Sequence, residues 1–335
     1  MPLLSPTSTL LVSGAFSASY LASIYLVPSA RVRLATPASS RASDADRSAT
    51  RQGEPDDLAT PPVEHRDRNH PTVIKARLVA VSLSSISSLA AFPFVLAHAL
   101  PTRYPTYSST LRRAVQLLGL ALPPTWTDAI RLVVFPLGLT ASLFAGSLYV
   151  LYLEGDLPGQ LKGGKWKSLK ARFDGWRGIR NYVVAPLTEE LTFRSCVVAA
   201  SFVGGWSKNR MIFVAPLWFG LAHVHHAWES YLAGGRTRKA LVQGLLVSTF
   251  QFAYTTLFGW YATYLFLQTG SIVPPFLAHS FCNMMGLPPL GWALRAHPDK
   301  KISLWTTYVA GIATFVFGFA RWTRPELWGG SAYWA

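Results

Sequence analysis

Three stretches of this chain, Ser8–Val27, Leu78–Leu100 and Leu132–Leu153, each run for about twenty residues without an Asp, Glu, Lys or Arg. A helix needs about 20 apolar residues to cross the hydrocarbon core of a bilayer. Within that core a helix is also the simplest way to satisfy every backbone group. The chain is therefore expected to be all-α, a polytopic integral membrane helical bundle. Apolar runs near 8–27, 77–100, 130–153, 181–203, 211–227, 241–267, 271–288 and 303–320 give about eight transmembrane helices. Of the 335 residues, 14% are charged, against about 25% in soluble domains.

The connections carry further information. Residues 1–76 read as an N-terminal anchor followed by a polar, loosely ordered loop, because Pro28–His70 is rich in Ser, Arg, Asp, Pro and Ala and has no apolar period. The opening "MPLLSPTSTLLVSG" lacks the basic n-region of a signal peptide, so the first span is expected to be retained. Residues 77–335 read as one membrane-embedded domain. Within it, "LRRAVQLLGL" suits an interfacial helix, and the Lys- and Trp-bearing segment 155–180 suits a helix lying on an anionic leaflet. Connections after odd-numbered spans hold 21 Lys and Arg, and those after even-numbered spans hold 7. The positive-inside rule then puts the odd connections in the cytosol and the N-terminus in the lumen. These basic loops account for the net charge of +15 without nucleic acid, since no basic stretch is interleaved with stacking aromatics. The two cysteines, Cys196 and Cys282, both lie in apolar runs and offer no disulfide framework.

Against this background "RNYVVAPLTEELTFRS", Arg180 to Ser195, is anomalous, because it places Glu189, Glu190 and Arg194 inside a span. A charge at the bilayer centre costs from about 2.5–3.5 kcal/mol upward, which makes it a functional-site hypothesis by default. Residues four apart share a helix face and adjacent ones lie about 100° apart. Glu190 and Arg194 are thus placed to pair, and Glu189 is turned away from that pair. Pro186 is expected in a first turn or at a kink, setting Glu189 near the cytosolic mouth. The bland reading is three charges that only satisfy one another.

Two further spans add polar groups at the same spacing. "PLWFGLAHVHHAWES" puts Phe219 and His223 on one face, with His225 and His226 following, and "PPFLAHSFCNMMGLP" does the same for His279 and Asn283. Alone, the former suits an interfacial histidine and the latter a polar contact between helices. Together they bring Glu189, His223, His279 and Asn283 to one cavity opening to the cytosol. A carboxylate and a histidine activate water, and imidazole and amide N–H groups stabilise an oxyanion, which is equipment for hydrolysing an amide bond.

At these residues the sequence resembles the type II CAAX prenyl endopeptidases, a branch of the glutamate intramembrane proteases. The family pattern EExxxR, FxxxH, HxxxN stands here as Glu189-Glu190-Leu191-Thr192-Phe193-Arg194, Phe219-Gly220-Leu221-Ala222-His223 and His279-Ser280-Phe281-Cys282-Asn283. "GLAHVHH", "FQFAYTTLFGWYATYLF" and, more weakly, "NHPTVIKARL" extend the likeness. The resemblance implies a protease domain over 77–335 with its catalytic core near 180–290. It further implies an endoplasmic reticulum membrane enzyme, its active site facing the cytosol, that removes the last three residues of prenylated CaaX proteins such as small GTPases. In that scheme Glu189 is the general base, His223 orients the water and shuttles the proton, and His279 and Asn283 form the oxyanion site. Glu190 and Arg194 are structural or position substrate, and Phe219 packs the wall. No cofactor and no metal is implied.

Three other chemistries stay open on the residues themselves. Cys282 lies three residues from His279 and admits a thiol protease. Glu and His are zinc ligands, although no HExxH occurs. A transporter or scaffold with a buried proton relay would use the same groups without cleavage.

Overall fold

The structure, a computed structural model, describes residues 4–32, 67–157, 159–160 and 173–334. The polar loop expected over 28–70 falls largely outside them, and so does half of the basic connection expected over 155–180. Among the described residues there are helices and turns and no strand. The chain is a helical membrane protein.

Helix α1 (Pro6–Leu26) begins at Ser5, whose hydroxyl accepts from the Ser8 N–H at 3.0 Å, with Pro6 in the first turn. This is the cap that a Ser-Pro start favours. Helix α2 (Pro71–Ala99) likewise opens on a proline and carries Pro93 in its interior. An amphipathic helix, α3 (Tyr107–Leu117), forms over much of the "LRRAVQLLGL" segment. Helices α4 (Trp126–Leu143) and α5 (Ala145–Glu154) meet at Phe144 with a 76° bend.

The next helical run, α6 (175–203), is continuous but changes pitch. The α-helical pieces Gly175–Ile179, Ala185–Glu190 and Ala199–Val203 are separated by π turns at Arg180–Val184 and Leu191–Val198. The first π turn ends just before Pro186, which has no N–H and whose ring crowds the preceding turn of a regular helix. Short helices α7 (Lys208–Phe213), α8 (Leu217–Ala222) and α9 (His225–Ala233) follow. The long α10 (Arg238–Thr269) ends at Gly270 in the left-handed conformation, φ 60°. Helices α11 (Val273–Met285), α12 (Leu290–Ala296) and α13 (Lys301–Phe319) complete the bundle.

Among the described residues four helices, α1, α2, α10 and α13 with its leading turn, are long and apolar enough to cross a membrane, and the bent pair α4–α5 makes a fifth if it is one span. The remaining three expected spans are of another kind. Three charges sit in the 181–203 stretch, Pro216 interrupts the 211–227 stretch, and α11 is 13 residues long. The segments that carry polar chemistry are therefore the ones that are not plain apolar helices. Large apolar side chains such as Leu83 and Ile86 on α2, Leu246 and Phe250 on α10, and Val316 and Phe317 on α13 face outward. That is the surface a protein dissolved in lipid presents.

Helix α6 is the hub, with α1, α2, α10 and α11 packing on it. The contacts with α1, α2 and α11 carry hydrogen bonds as well as apolar packing. Ser85 of α2 donates to the Thr188 carbonyl at 3.2 Å and lies 3.1 Å from the Thr192 hydroxyl. The Tyr20 hydroxyl of α1 lies 3.2 Å from that of Thr188. Ser195 donates to the Leu118 carbonyl at the end of α3, at 2.7 Å. Polar bonds of this kind fix helix orientation where the surroundings are uniformly apolar.

Candidate active site

Glu189 and Glu190 are adjacent in sequence and differ in environment. Glu190 is fully buried, and its Oε1 lies 3.0 Å from Arg194 Nη1, the i,i+4 pair expected from spacing. The same oxygen accepts a hydrogen bond from His279 Nδ1 at 2.8 Å. Glu189 keeps 18% of its side chain exposed and faces the other ring nitrogen, with Oε2 3.7 Å from His279 Nε2. One imidazole thus stands between two carboxylates, bonded to the buried one.

Arg194 is the largest fully buried side chain described. Its guanidinium carbon sits 4.6 Å over the Phe219 ring and 5.6 Å from that of Phe258. Its Nε, Nη1 and Nη2 make no hydrogen bond among the described residues, so the charge of one carboxylate and two aromatic faces compensate the buried cation. Space for it comes from Gly259, where a Cβ would stand 3.5 Å from Nη2 and collide with Pro216 at 2.7 Å. Phe258 also packs on the His279 ring, with centroids 4.8 Å apart.

His223 ends α8, and its Nδ1 lies 2.8 Å from the Phe219 carbonyl. A carbonyl only accepts, so Nδ1 carries the proton and Nε2 is the basic nitrogen of the neutral ring. The ring also stands edge-to-face on Phe219, with centroids 4.7 Å apart. The i,i+4 relation therefore fixes both the tautomer and the tilt of His223. Asn283, on α11, donates from Nδ2 to the main-chain carbonyl of Asn181 at 2.9 Å. That bond uses one of its two amide protons and ties α11 to the start of α6.

Glu189, His223 and Asn283 line one cavity of about 450 Å³. His279 and Glu190 lie behind that wall. The lining also includes apolar side chains, Leu21 and Ile24 of α1, Leu78 and Val81 of α2, and Phe193. Arg68, Arg77 and Arg180 line it as well. The structure thus brings the expected residues into one place but distributes them differently from the simplest pairing. His279 is held by Glu190 across 89 positions of sequence, and Asn283 by a backbone carbonyl.

Sequence reasoning did not single out Tyr20, Phe258, the α1 wall or the arginines. In α1 nothing but an aromatic with a hydroxyl marks Tyr20. The arginines read from sequence as ordinary basic flanks. Of the other histidines in the motif region, His225 lines the cavity and bonds the Ala222 carbonyl through Nδ1. The side chain of His226 lies outside the described residues. Among the described residues no three of His, Cys, Asp and Glu are grouped to hold a metal ion. Both cysteines are buried and unpaired.

Residues 172–285 match the family model described as type II CAAX prenyl endopeptidase Rce1-like, a segment that contains Glu189, Glu190, Arg194, Phe219, His223, His279 and Asn283. The chain is 41% identical over 175 residues to the probable CAAX prenyl protease 2 of Schizosaccharomyces pombe, covering 52% of this chain and 62% of that protein. It is 36% identical over 270 residues to CAAX prenyl protease 2 of Homo sapiens, covering 78% of this chain and 75% of the human one. With CAAX prenyl protease 2 of Arabidopsis thaliana it shares 30% over 271 residues, 76% of this chain and 80% of the plant protein. No solved structure matches the chain.

Proposed function

We propose, because the chain belongs to the family of type II CAAX prenyl endopeptidases, that it removes the C-terminal aaX tripeptide from farnesylated or geranylgeranylated CaaX proteins, at the cytosolic face of the endoplasmic reticulum membrane. The observation that carries this reading is the mixed lining of the cavity. It offers a carboxylate, an imidazole and an amide together with aliphatic and aromatic side chains from α1, α2 and α6. A prenylated peptide has the same mixture, a hydrocarbon chain on one atom of an otherwise polar backbone.

In the mechanism this supports, Glu189 takes a proton from water while His223 Nε2 orients it, and the oxygen attacks the carbonyl of the prenylated cysteine. Asn283 donates its second amide proton to the developing oxyanion. His279 stands on the other side of Glu189. With Nδ1–H given to the Glu190 carboxylate, its Nε2 supplies an N–H only when the ring carries both protons. Collapse of the tetrahedral intermediate breaks the C–N bond, and the proton acquired by Glu189 and His223 passes to the leaving amine. Glu190 and Arg194 touch no reacting atom in this scheme and act by holding His279 and Phe219.

The test is incubation of membranes containing the protein with a farnesylated CaaX peptide and its unprenylated twin. Release of the tripeptide from the first alone is expected. Ion flux or partner binding with no tripeptide released would replace this reading with the transporter or scaffold.

A further inference from the structure

The cavity that holds Glu189 has a basic end, and the mechanism above gives it no task. Arg180 opens the first π turn of α6, nine positions before Glu189, and both line the cavity. Neutral acceptors hold its guanidinium. Nε donates to Asn181 Oδ1 at 2.9 Å, Nη1 to the Arg68 carbonyl at 2.9 Å and Nη2 to Asn69 Oδ1 at 3.1 Å. These use three of its five N–H groups and none of its charge. Arg68, Arg77 and Arg177 are close enough to oppose that charge, while Asp67 favours it. Arg77 is neutralised separately, with Nη2 3.3 Å from Glu229. A guanidinium locked in place beside others of like charge is built to receive an anion.

On the reading that the substrate is a prenylated CaaX chain end, one anion always accompanies the scissile bond, the α-carboxylate of the last residue. We propose that Arg180, with Arg68 beside it, binds that carboxylate. Arg180 and Glu189 line the same cavity nine positions apart on α6, and three extended residues span about 10 Å. The chain end and the scissile bond are then held in one cavity, and an internal Cys-a-a-X sequence with no free carboxylate is rejected.

Two farnesylated peptides of one sequence, ending in the free acid and in the carboxamide, test this without altering the protein. The wild-type enzyme is expected to cleave the acid with a kcat/KM at least about tenfold above that for the amide, the value of one hydrogen bond to a charged group. Equal rates would overturn the inference while leaving the proposed activity intact, and cleavage of neither peptide would overturn both. Arg180→Gln is expected to bring the acid-to-amide ratio close to one, chiefly through KM for the acid, and Arg180→Lys to keep part of it. An unchanged ratio in Arg180→Gln removes Arg180 from the subsite. Should Arg180→Gln cleave neither peptide, Arg68→Gln supplies the ratio, and no fall there counts against the assignment.

Discussion

His279 Nδ1 lies 2.8 Å from Glu190 Oε1, the same oxygen that meets Arg194 Nη1 at 3.0 Å. One buried carboxylate oxygen therefore fixes two groups on two helices, and the neighbouring Glu189 is excluded from both bonds. Replacing Glu190 with Gln removes the charge opposite a guanidinium that is 1% exposed. Breaking a buried pair in this way costs about 3–5 kcal/mol. Thermal unfolding in detergent should show a clear loss of stability for Glu190→Gln together with weakened cleavage, and Arg194→Gln should show a similar loss. In the double variant the losses should sum to less than the two singles, since both act on one contact. Wild-type stability in either single variant would refute the pairing.

Glu189 and His223 should behave in the opposite way. Each lines the cavity, and neither belongs to the buried core. Glu189→Ala and His223→Ala are expected to lower kcat by about a hundredfold to ten-thousandfold, the range for general acid–base groups. Membrane insertion and melting should stay near wild type. Retained activity in either variant, measured by tripeptide release, would end the assignment of that residue as base or proton carrier.

Gly220 lies inside the Phe219–His223 turn and faces α10. A Cβ there would stand 2.8 Å from the Phe252 ring and 2.8 Å from the Thr256 hydroxyl. Gly220→Ala should push α8 away from α10, destabilise the protein by about 1–3 kcal/mol and carry His223 with it. The expected signature is reduced kcat with little change in KM for the farnesylated peptide. A fully active, stable Gly220→Ala would mean that this helix contact does not set the histidine.

The rival chemistries are separable by simple treatments. Cys282 is buried and three positions from His279, the usual setting of an inert small hydrophobe. Cys282→Ser should cleave at close to the wild-type rate, and dialysis against a strong chelator should leave activity unchanged. Loss of cleavage in the first experiment would restore the thiol mechanism. Loss in the second, reversed by zinc, would establish a metal.

What could be read from sequence was local. Spacing of four residues placed Glu190 against Arg194 and Phe219 against His223, because a helix turn converts such intervals into contact. The same rule grouped His279 with Asn283 on one face, yet their bonds go to Glu190 and to the Asn181 carbonyl. Those partners lie 89 and 102 positions away, and no local period encodes them. The helical membrane class was legible because charge-free runs of span length have few other uses. The number of spans was less so, since Glu189, Glu190 and Arg194 dilute the apolar signal of α6 and Pro216 divides the next. The α1 wall was hidden for a related reason, since Leu21 and Ile24 look the same whether they face lipid or a cavity.

The reach of the Glu190–Arg194 pair along the chain also has a meaning for biogenesis. The two residues leave the ribosome almost together and can neutralise one another as α6 enters the bilayer. His279, the third member, is 89 residues further on, and at about 5–20 residues per second it emerges roughly 4–18 s later. For that interval the Glu190–Arg194 couple is made without the imidazole that later joins it, and the buried cluster is complete only once α11 has been synthesised.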